Sequence, residues 1–436
     1  MIHPLFHFAQ KATMKTLFIP ETFTPKGPLA DNLARLAFEL ASRTSMLDES
    51  DQHKMISFGV PDWKAVVGKD YSPVKQAAIK QGLIKANEKY SNLPDKSFPK
   101  SVQLTSKHRN SDLKAYELKR KQPASKRFRI DRNDHVGGWL AKNLERLSFA
   151  ESFDPESLVD YSKSLRSRNA IRLAFAKIRN EQLFASRCKY GRFHSNVTNM
   201  SKSLRAKLRS DDHTLVEVDI KNSQPFLIPQ VIRDYIWREG KKGKREETKK
   251  KDRREQEVKS KHSVLEDELK NFHNLVVDGN FYELFESESD RNSIKEMVFT
   301  YIFSKDNLKT VSCIQKTLQK QFPEICNVIA QIKREDHRVF AHCLQKLESE
   351  IVIEGACRAL MAREPEMPIV TVHDSILTTE PFVEIVSEEL QRAFEDRCGV
   401  VPAMTKTDYH TANEMTLVQK KRGKSQTVMV PPSGVA

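Results

Sequence analysis

Two apolar stretches, each closed by an aspartate, constrain this chain more than any other feature. LVEVDI ends on Asp219 and Ile220 and runs into KNSQPFL, while MPIVTVHDSILTTE carries His373, Asp374 and Ser375 between two apolar runs. Short apolar runs bounded by turn-forming residues read as buried strands, and the second stretch reads as a hairpin with an acidic tip. One strand ending in aspartate says little, because such an ending also serves turns. Two aspartates on adjacent strands could hold a pair of metal ions about 3.5–4 Å apart, the arrangement used for in-line phosphoryl transfer. One ion would lower the pKa of an attacking hydroxyl and the other would neutralise the leaving group; magnesium suits such oxygen ligands, and manganese could replace it.

Two further segments become informative beside these. In DRNSIKEMVFTYIFS, Arg291, Lys295, Phe299 and Phe303 recur every four residues. On a helix they form one gently drifting stripe, two cations followed by two aromatic rings. The cations would grip a triphosphate and the rings would stack on a base and sugar; the alternative is an amphipathic helix with its aromatic residues in the core. In KYGRFHSNVTNMSKSLR, Gly191 would present Arg192 from a tight turn, with Ser195 and Asn199 as hydrogen-bonding groups.

The formal net charge is +15, from 73 Lys+Arg against 58 Asp+Glu, a balance that favours a polyanionic partner such as nucleic acid. The six cysteines form no CxxC pair, which argues against a zinc site or a disulfide framework and for a reducing compartment. No apolar run approaches a membrane span, and the start lacks the pattern of a leader. The expectation is a soluble, cytoplasmic protein that makes no membrane contact, with translation starting at Met1 or Met14.

In order, the four segments resemble the family A DNA polymerases and the single-subunit, phage-type RNA polymerases. The Gly191-Arg192-x-x-Ser195-x-x-x-Asn199 stretch resembles the family's GRxxSxxxN run, Asp219 falls at the motif A aspartate, and Arg291 to Phe303 has the spacing of the fingers helix RxxxKxxxFxxxY. His373-Asp374-Ser375 resembles motif C in the form typical of the phage-type RNA polymerases, and CLQKLESEIVIEGACRALM resembles the helix that precedes it, with Gln345 at the glutamine.

The resemblance implies an α+β fold: a right-hand polymerase palm with an antiparallel sheet and helical fingers. It implies a template-directed nucleotidyltransferase acting on a primer-template duplex and dNTP or NTP, with two magnesium ions at Asp219, Asp374 and Ile220. Lys295 would serve catalysis. Arg291, Lys295, Phe299, Phe303 and Gln224 would bind the nucleotide, and Arg192, Ser195, Asn199, Gln345 and His373 the primer-template. Departures concern the sugar. DIKNSQP replaces DYSQIELR, so Gln224 stands where DNA polymerases of the family carry glutamate. Phe303 replaces the fingers tyrosine, removing a partner for a 2′-hydroxyl. That loss favours deoxynucleotides, whereas HDS and Gln224 lean towards ribonucleotides. Nothing resembles the family's exonuclease domain.

The remaining chain divides by punctuation. Residues 1–30 read as an irregular arm. Residues 31–108 follow a winged-helix pattern: helical spacing from Leu33 to Ala41, Pro61 and Pro73 in first turns with Ser72 as N-cap, Gly82 at a helix end, then strands LIKANEKY and FPKSVQLT. It would offer Lys75, Lys80, Lys85, Lys89 and Lys100 to a phosphate backbone. Residues 109–134 read as a basic linker, 135–185 as a helical thumb-like region and 186–415 as palm and fingers. A charged insertion, mobile or a solvated helix, spans 241–261, and 416–436 read as a disordered tail. Such a combination suits a replication protein of a plasmid, phage or similar mobile element. A DNA-binding initiator or regulator with a degenerate palm, and a two-metal nuclease, are the competing readings; the second leaves the fingers stripe unexplained.

Overall fold

The computed structural model describes residues 16–47, 51, 53–91, 99–119, 125–162, 164–243, 252–277, 281–285, 291–304, 312–334 and 336–409. The expected tail 416–436 lies outside these residues, as do 244–251 of the charged insertion. The fold is mixed, with antiparallel sheets and many helices, and divides into two compact units. The first holds residues 1–128, 147–184 and 195–212; the second holds 129–146, 185–194 and 213–436.

In the first unit, strand β1 (Thr16–Pro20) pairs antiparallel with β5 (Leu113–Glu117), Thr16 opposite Glu117. Both were expected to be irregular, one in the arm and one in the basic linker. TLFIP is a β-prone run whose residues 17–20 are buried, and LKAYE, with one lysine and one glutamate on opposite faces, is held by its pairing with TLFIP while Leu113 enters the core. The basic run that suggested a linker, KRKQPASKRFR, starts at Lys119, after this strand, whose own lysine and glutamate balance.

Between them, α1 (Ala30–Ser45) buries Leu33, Leu36, Ala37 and Leu40 at helical spacing. β2 (Ile56–Ser57), α2 (Val60–Val67), α3 (Tyr71–Lys80), β3 (Ile84–Asn87) and β4 (Ser101–Leu104) follow, and the strands pair in the order β2-β4-β3. Helix α2 opens on Gly59, whose N–H donates to Asp62 Oδ2 at 2.9 Å, with Pro61 in its first turn. Helix α3 begins at Tyr71, so Ser72 lies inside the first turn and is not the expected cap; Asp70 precedes the helix. Lys75 and Lys100 both pair with Glu88, whereas Lys80, Lys85 and Lys89 are exposed. Helix α4 (Leu165–Arg179), opened by Ser164 accepting from the Ser167 N–H, closes this core with Leu173 and Ala176.

The second unit is built on four antiparallel strands: β6 (His213–Ile220), β7 (Ile369–Val372), β8 (Ser375–Thr379) and β9 (Met404–Asp408), in the order β7-β8-β6-β9. Helices α5 (Ser223–Gly243), α6 (Asp252–Val277), α7 (Arg291–Phe303), α8 (Ser312–Gln321), α9 (Pro323–Lys333), α10 (Arg338–Ser349) and α11 (Val383–Cys398) belong to the same unit, as does the helix His135–Asn143. The backbone of 252–261 is helical, within α6. Helix α10 continues through a π-helical stretch, Glu350–Cys357, into Arg358–Arg363. There Gly355 meets α11 so closely that an added Cβ would lie 3.0 Å from Ala393 Cβ, so the absence of a side chain lets the π-helical stretch pack against α11. Among the described residues no helix is long and apolar enough to cross a membrane.

Candidate active site

Strand β6 forms because LVEVDI is almost wholly buried: Leu215, Val216, Val218 and Ile220 are each at most 5 % exposed. It is the inner strand that pairs with both β8 and β9, so Asp219 lies opposite Ser375 on one side and Thr405 on the other. The β7-β8 hairpin turns through His373 and Asp374, since Val372 pairs with Ser375. His373 takes φ +56°, the left-handed conformation that two-residue hairpins require. Asp374 therefore sits one residue beyond the position opposite Asp219, and both carboxylates belong to the same end of the sheet. Ile220 is 2 % exposed, and since its side chain has no donor atom its only group able to meet a metal is its backbone carbonyl.

Buried polar groups brace this end from beneath. Glu217, two residues before Asp219 and thus on the same face, is 3 % exposed. Ser375 Oγ lies 2.9 Å from Glu217 Oε1 and 3.0 Å from the Val372 carbonyl, and the Tyr409 hydroxyl donates to Glu217 Oε2. Ser375, the third residue of HDS, thereby ties the hairpin to β6.

A second carboxylate organises the other side. Glu348 on α10 is 2 % exposed, and Arg192 Nη2 lies 2.8 and 2.9 Å from its two oxygens. Gln224 Nε2 donates to the same carboxylate. Arg192 reaches it from a turn closed by Gly191 N–H to Cys188 O (2.9 Å) and Cys188 N–H to Arg192 O (3.0 Å). Gly191 has φ +83°, and a Cβ there would lie 2.8 Å from Ser349 Oγ, so both conformation and space select glycine. Burial raises the Glu348 carboxyl against the pull of Arg192 and Gln224. Asp374 is pushed up to about 7 by burial and then by the Glu348 charge, with Arg192 and the Ser223 hydroxyl pulling it down. Asp374 and Glu348 are therefore electrostatic neighbours. Ser223 follows Asn222, a non-glycine residue at φ +55° just beyond β6.

Helix α7 resolves the two readings of its stripe. Ile294, Val298, Tyr301 and Ile302 are buried, at most 5 % exposed. On the opposite side Lys295 is exposed, Phe299 half-buried and Phe303 36 % exposed. The two phenyl rings stack at 6.1 Å and Lys295 Nζ lies 5.9 Å from the Phe299 centroid. The stripe is thus an outward-facing cation and ring pair; the Arg291 side chain lies outside the described residues. The C-terminal carbonyls that a helix leaves unpaired are met by buried Lys333, which donates to Tyr301 O at 2.6 Å and Ser304 O at 3.3 Å. Helix α7 packs against α10, which carries Glu348.

The remaining expected residues fall in both units. Ser195 and Asn199 belong to the first unit. Ser195 is 1 % exposed and its Oγ accepts from Val197 N–H at 3.2 Å, a turn-forming bond, while Asn199 is exposed. Gln345 is half-buried on α10, one turn before Glu348, and the His373 ring lies 6.4 Å from His194. Sequence reasoning missed Glu348. Its signal was there: Phe340, Leu344, Leu347 and Ile351 mark a buried face, and Glu348 is a carboxylate on that face at helical spacing.

Among the described residues no group of three or more His, Cys, Asp or Glu is arranged to hold a metal ion. An oxygen-only pair of carboxylates with a neighbouring carbonyl still fits magnesium, which commonly binds one or two carboxylates and completes its shell with water and substrate phosphate.

No protein-family model matches the chain, and no curated protein matches it. Among solved structures it is similar to the "POL domain of Pol1 from M. smegmatis complex with DNA primer-template and dNTP", at 10 % identity and a TM-score of 0.35. The match covers 58 % of this chain and 55 % of that one, so it spans about half of that structure's length. A TM-score this low establishes neither fold nor activity.

Proposed function

We propose that this chain is a template-directed nucleotidyltransferase whose palm is the β7-β8-β6-β9 sheet and whose fingers include α7. The observation that carries the reading is the register that sets Ser375 opposite Asp219, and so brings Asp374 to the same sheet end. The raised Asp374 carboxyl adds support, because crowded carboxylates with an unmet charge suit a cation. Asp219, Asp374 and the Ile220 carbonyl would hold two magnesium ions, which supply activation of a primer hydroxyl and neutralisation of departing pyrophosphate.

The chain's own residues supply the rest. Lys295 on the exposed stripe would meet the triphosphate as it gains charge, with Arg291 beside it in sequence, and Phe299 and Phe303 would offer ring faces to the base and sugar. Gln224, at the start of α5, would face the sugar. Arg192, Gln345 and His373 would hold the primer terminus, and Ser195 and Asn199 would meet the duplex as part of the first unit. In that unit, α1, β2, α2, α3, β3 and β4 with sheet order β2-β4-β3 support a winged-helix module for duplex DNA, presenting Lys80, Lys85 and Lys89. A cytoplasmic replication protein of a plasmid, phage or other mobile element would combine these parts.

The test is incubation of the full-length protein with labelled primer-template, magnesium, and either dNTPs or NTPs. Template-dependent extension that disappears in Asp219→Asn and Asp374→Asn supports the reading. Shortening of the primer would instead indicate a nuclease, and retention without any change in length would indicate a binding protein.

A further inference from the structure

The buried carboxylate of Glu348 is assigned no part in the transfer described above, yet two residues of that machinery converge on it. Arg192 arrives from the Gly191 turn and Gln224 from the first turn of α5. Neither has freedom to turn elsewhere: Gln224 is 7 % exposed, Arg192 is largely buried, and Gly191 is pressed against Ser349. The carboxylate also fixes which end of the Gln224 amide points where. With Nε2 donating to Glu348 Oε2, Gln224 Oε1 faces away from the carboxylate.

The network is incomplete as it stands. Gln224 Oε1 and Arg192 Nε are both buried with no hydrogen-bond partner among the described residues. Buried acceptors and donors in native proteins are nearly always paired, so an unpaired acceptor and an unpaired donor on one hub mark a place that a ligand completes.

We infer that Glu348 is the positioning residue for both Arg192 and Gln224, linking the hold on the primer terminus to the fit of the incoming sugar. The inference rests on the nucleotidyl-transfer reading, which gives Arg192 and Gln224 their partners. The ligand that completes the hub is a nucleotide: its sugar hydroxyl donates to Gln224 Oε1, and an acceptor on the primer-terminal nucleotide meets Arg192. One carboxylate serving two subsites predicts that they cannot be perturbed separately.

The experiment uses the full-length protein in single-nucleotide insertion with matched dNTP and NTP, measuring primer-template Kd, the ratio of ribo- to deoxynucleotide kcat/KM, and Tm. Glu348→Gln keeps the volume and removes the charge. It should weaken primer-template binding roughly tenfold, the difference between a charge-assisted and a neutral hydrogen bond, and shift the sugar ratio at least severalfold. Glu348→Asp returns the charge and should recover part of both. Should Glu348→Gln fold poorly, a cycle of Arg192→Ala, Gln224→Leu and the double variant tests the same link without touching Glu348. Arg192→Ala should then move the sugar ratio although it does not face the sugar, and the two changes should be non-additive. A lowered Tm with primer affinity and sugar ratio both unmoved, or additive effects in the cycle, would overturn the assignment. Wild-type protein that inserts neither nucleotide would instead remove the nucleotidyl-transfer reading itself, and with it the roles of Arg192 and Gln224.

Discussion

Replacing Asp374 by asparagine should make the metal-free protein more stable at alkaline pH while abolishing synthesis. The carboxyl stands at about 7 in the folded chain against 3.8 ordinarily, because it is buried and faces the Glu348 charge. Below about pH 4 the folded and unfolded chains both keep the proton, and the group contributes nothing. As pH climbs from about 4 to about 7, the unfolded chain releases its proton while the folded chain retains it, so stability falls across that window and the full deficit remains above it. At about 1.4 kcal/mol per pH unit, the rise from 3.8 to about 7 gives a deficit of about 4.5 kcal/mol, an upper bound because Asp374 shares its field with Glu348. Between pH 5.5 and pH 8 the advantage of Asp374→Asn over wild type should grow by about 2 kcal/mol. Urea unfolding in EDTA at the two pH values measures it. Magnesium reverses the order: it should stabilise wild type at pH 8 by mass action and leave the variant nearly unmoved. A variant less stable than wild type at pH 8, or an advantage that stays flat between the two pH values, refutes the reasoning.

Lys295→Ala should lower kcat/KM for the nucleotide roughly ten- to a hundredfold, with a raised KM, since the variant has no ammonium to donate to the phosphate; unchanged steady-state kinetics would leave the stripe as a solvated helix face. Matched dNTP should be inserted in preference to NTP by about tenfold or more, because the Phe303 ring offers a 2′-hydroxyl no partner. Phe303→Tyr should narrow that gap, and an identical ratio would mean that the ring does not reach the sugar. Combined Lys80→Ala, Lys85→Ala and Lys89→Ala should lower the log–log salt slope of duplex binding by up to about 2.7, at about 0.9 for each phosphate that a lysine no longer neutralises. An unaltered slope in a fluorescence titration would place the duplex elsewhere.

What the sequence made legible was local, and what it concealed depended on partners distant along the chain. The strand of Asp219 and the hairpin of Asp374 were readable because each is a short apolar run with its own punctuation, and the structure pairs them in register. The helices and strands between Ala30 and Leu104 were readable for the same reason, from prolines, glycines and spacing. The stripe on α7 was ambiguous because four-residue spacing fits a core face as well as a surface face. Its neighbours decide it: Ile294, Val298 and Ile302 take the core and leave Lys295, Phe299 and Phe303 outside. The β5 strand was mistaken for linker because the basic run that follows it dominates the composition of the segment, whereas the strand is specified by pairing with Thr16–Pro20 far earlier in the chain. Glu348 was concealed for a different reason. Glutamate inside a charged-looking LESE sequence reads as solvated, and only the arrival of Arg192, 156 residues earlier in the chain, makes its burial tolerable. A buried carboxylate is costly unless paired, so its presence implies its partner, but sequence spacing cannot say which arginine that is. The same coupling explains why the titration of Asp374 could not be anticipated: its upward shift comes from burial and from a charge on a helix that sequence alone does not bring near it. The strands and helix that carry the expected residues were thus readable from their own segments, while a buried neighbour such as Glu348 becomes visible only after folding, which is why the Glu348 variants test the proposed site more sharply than further substitution of the aspartates.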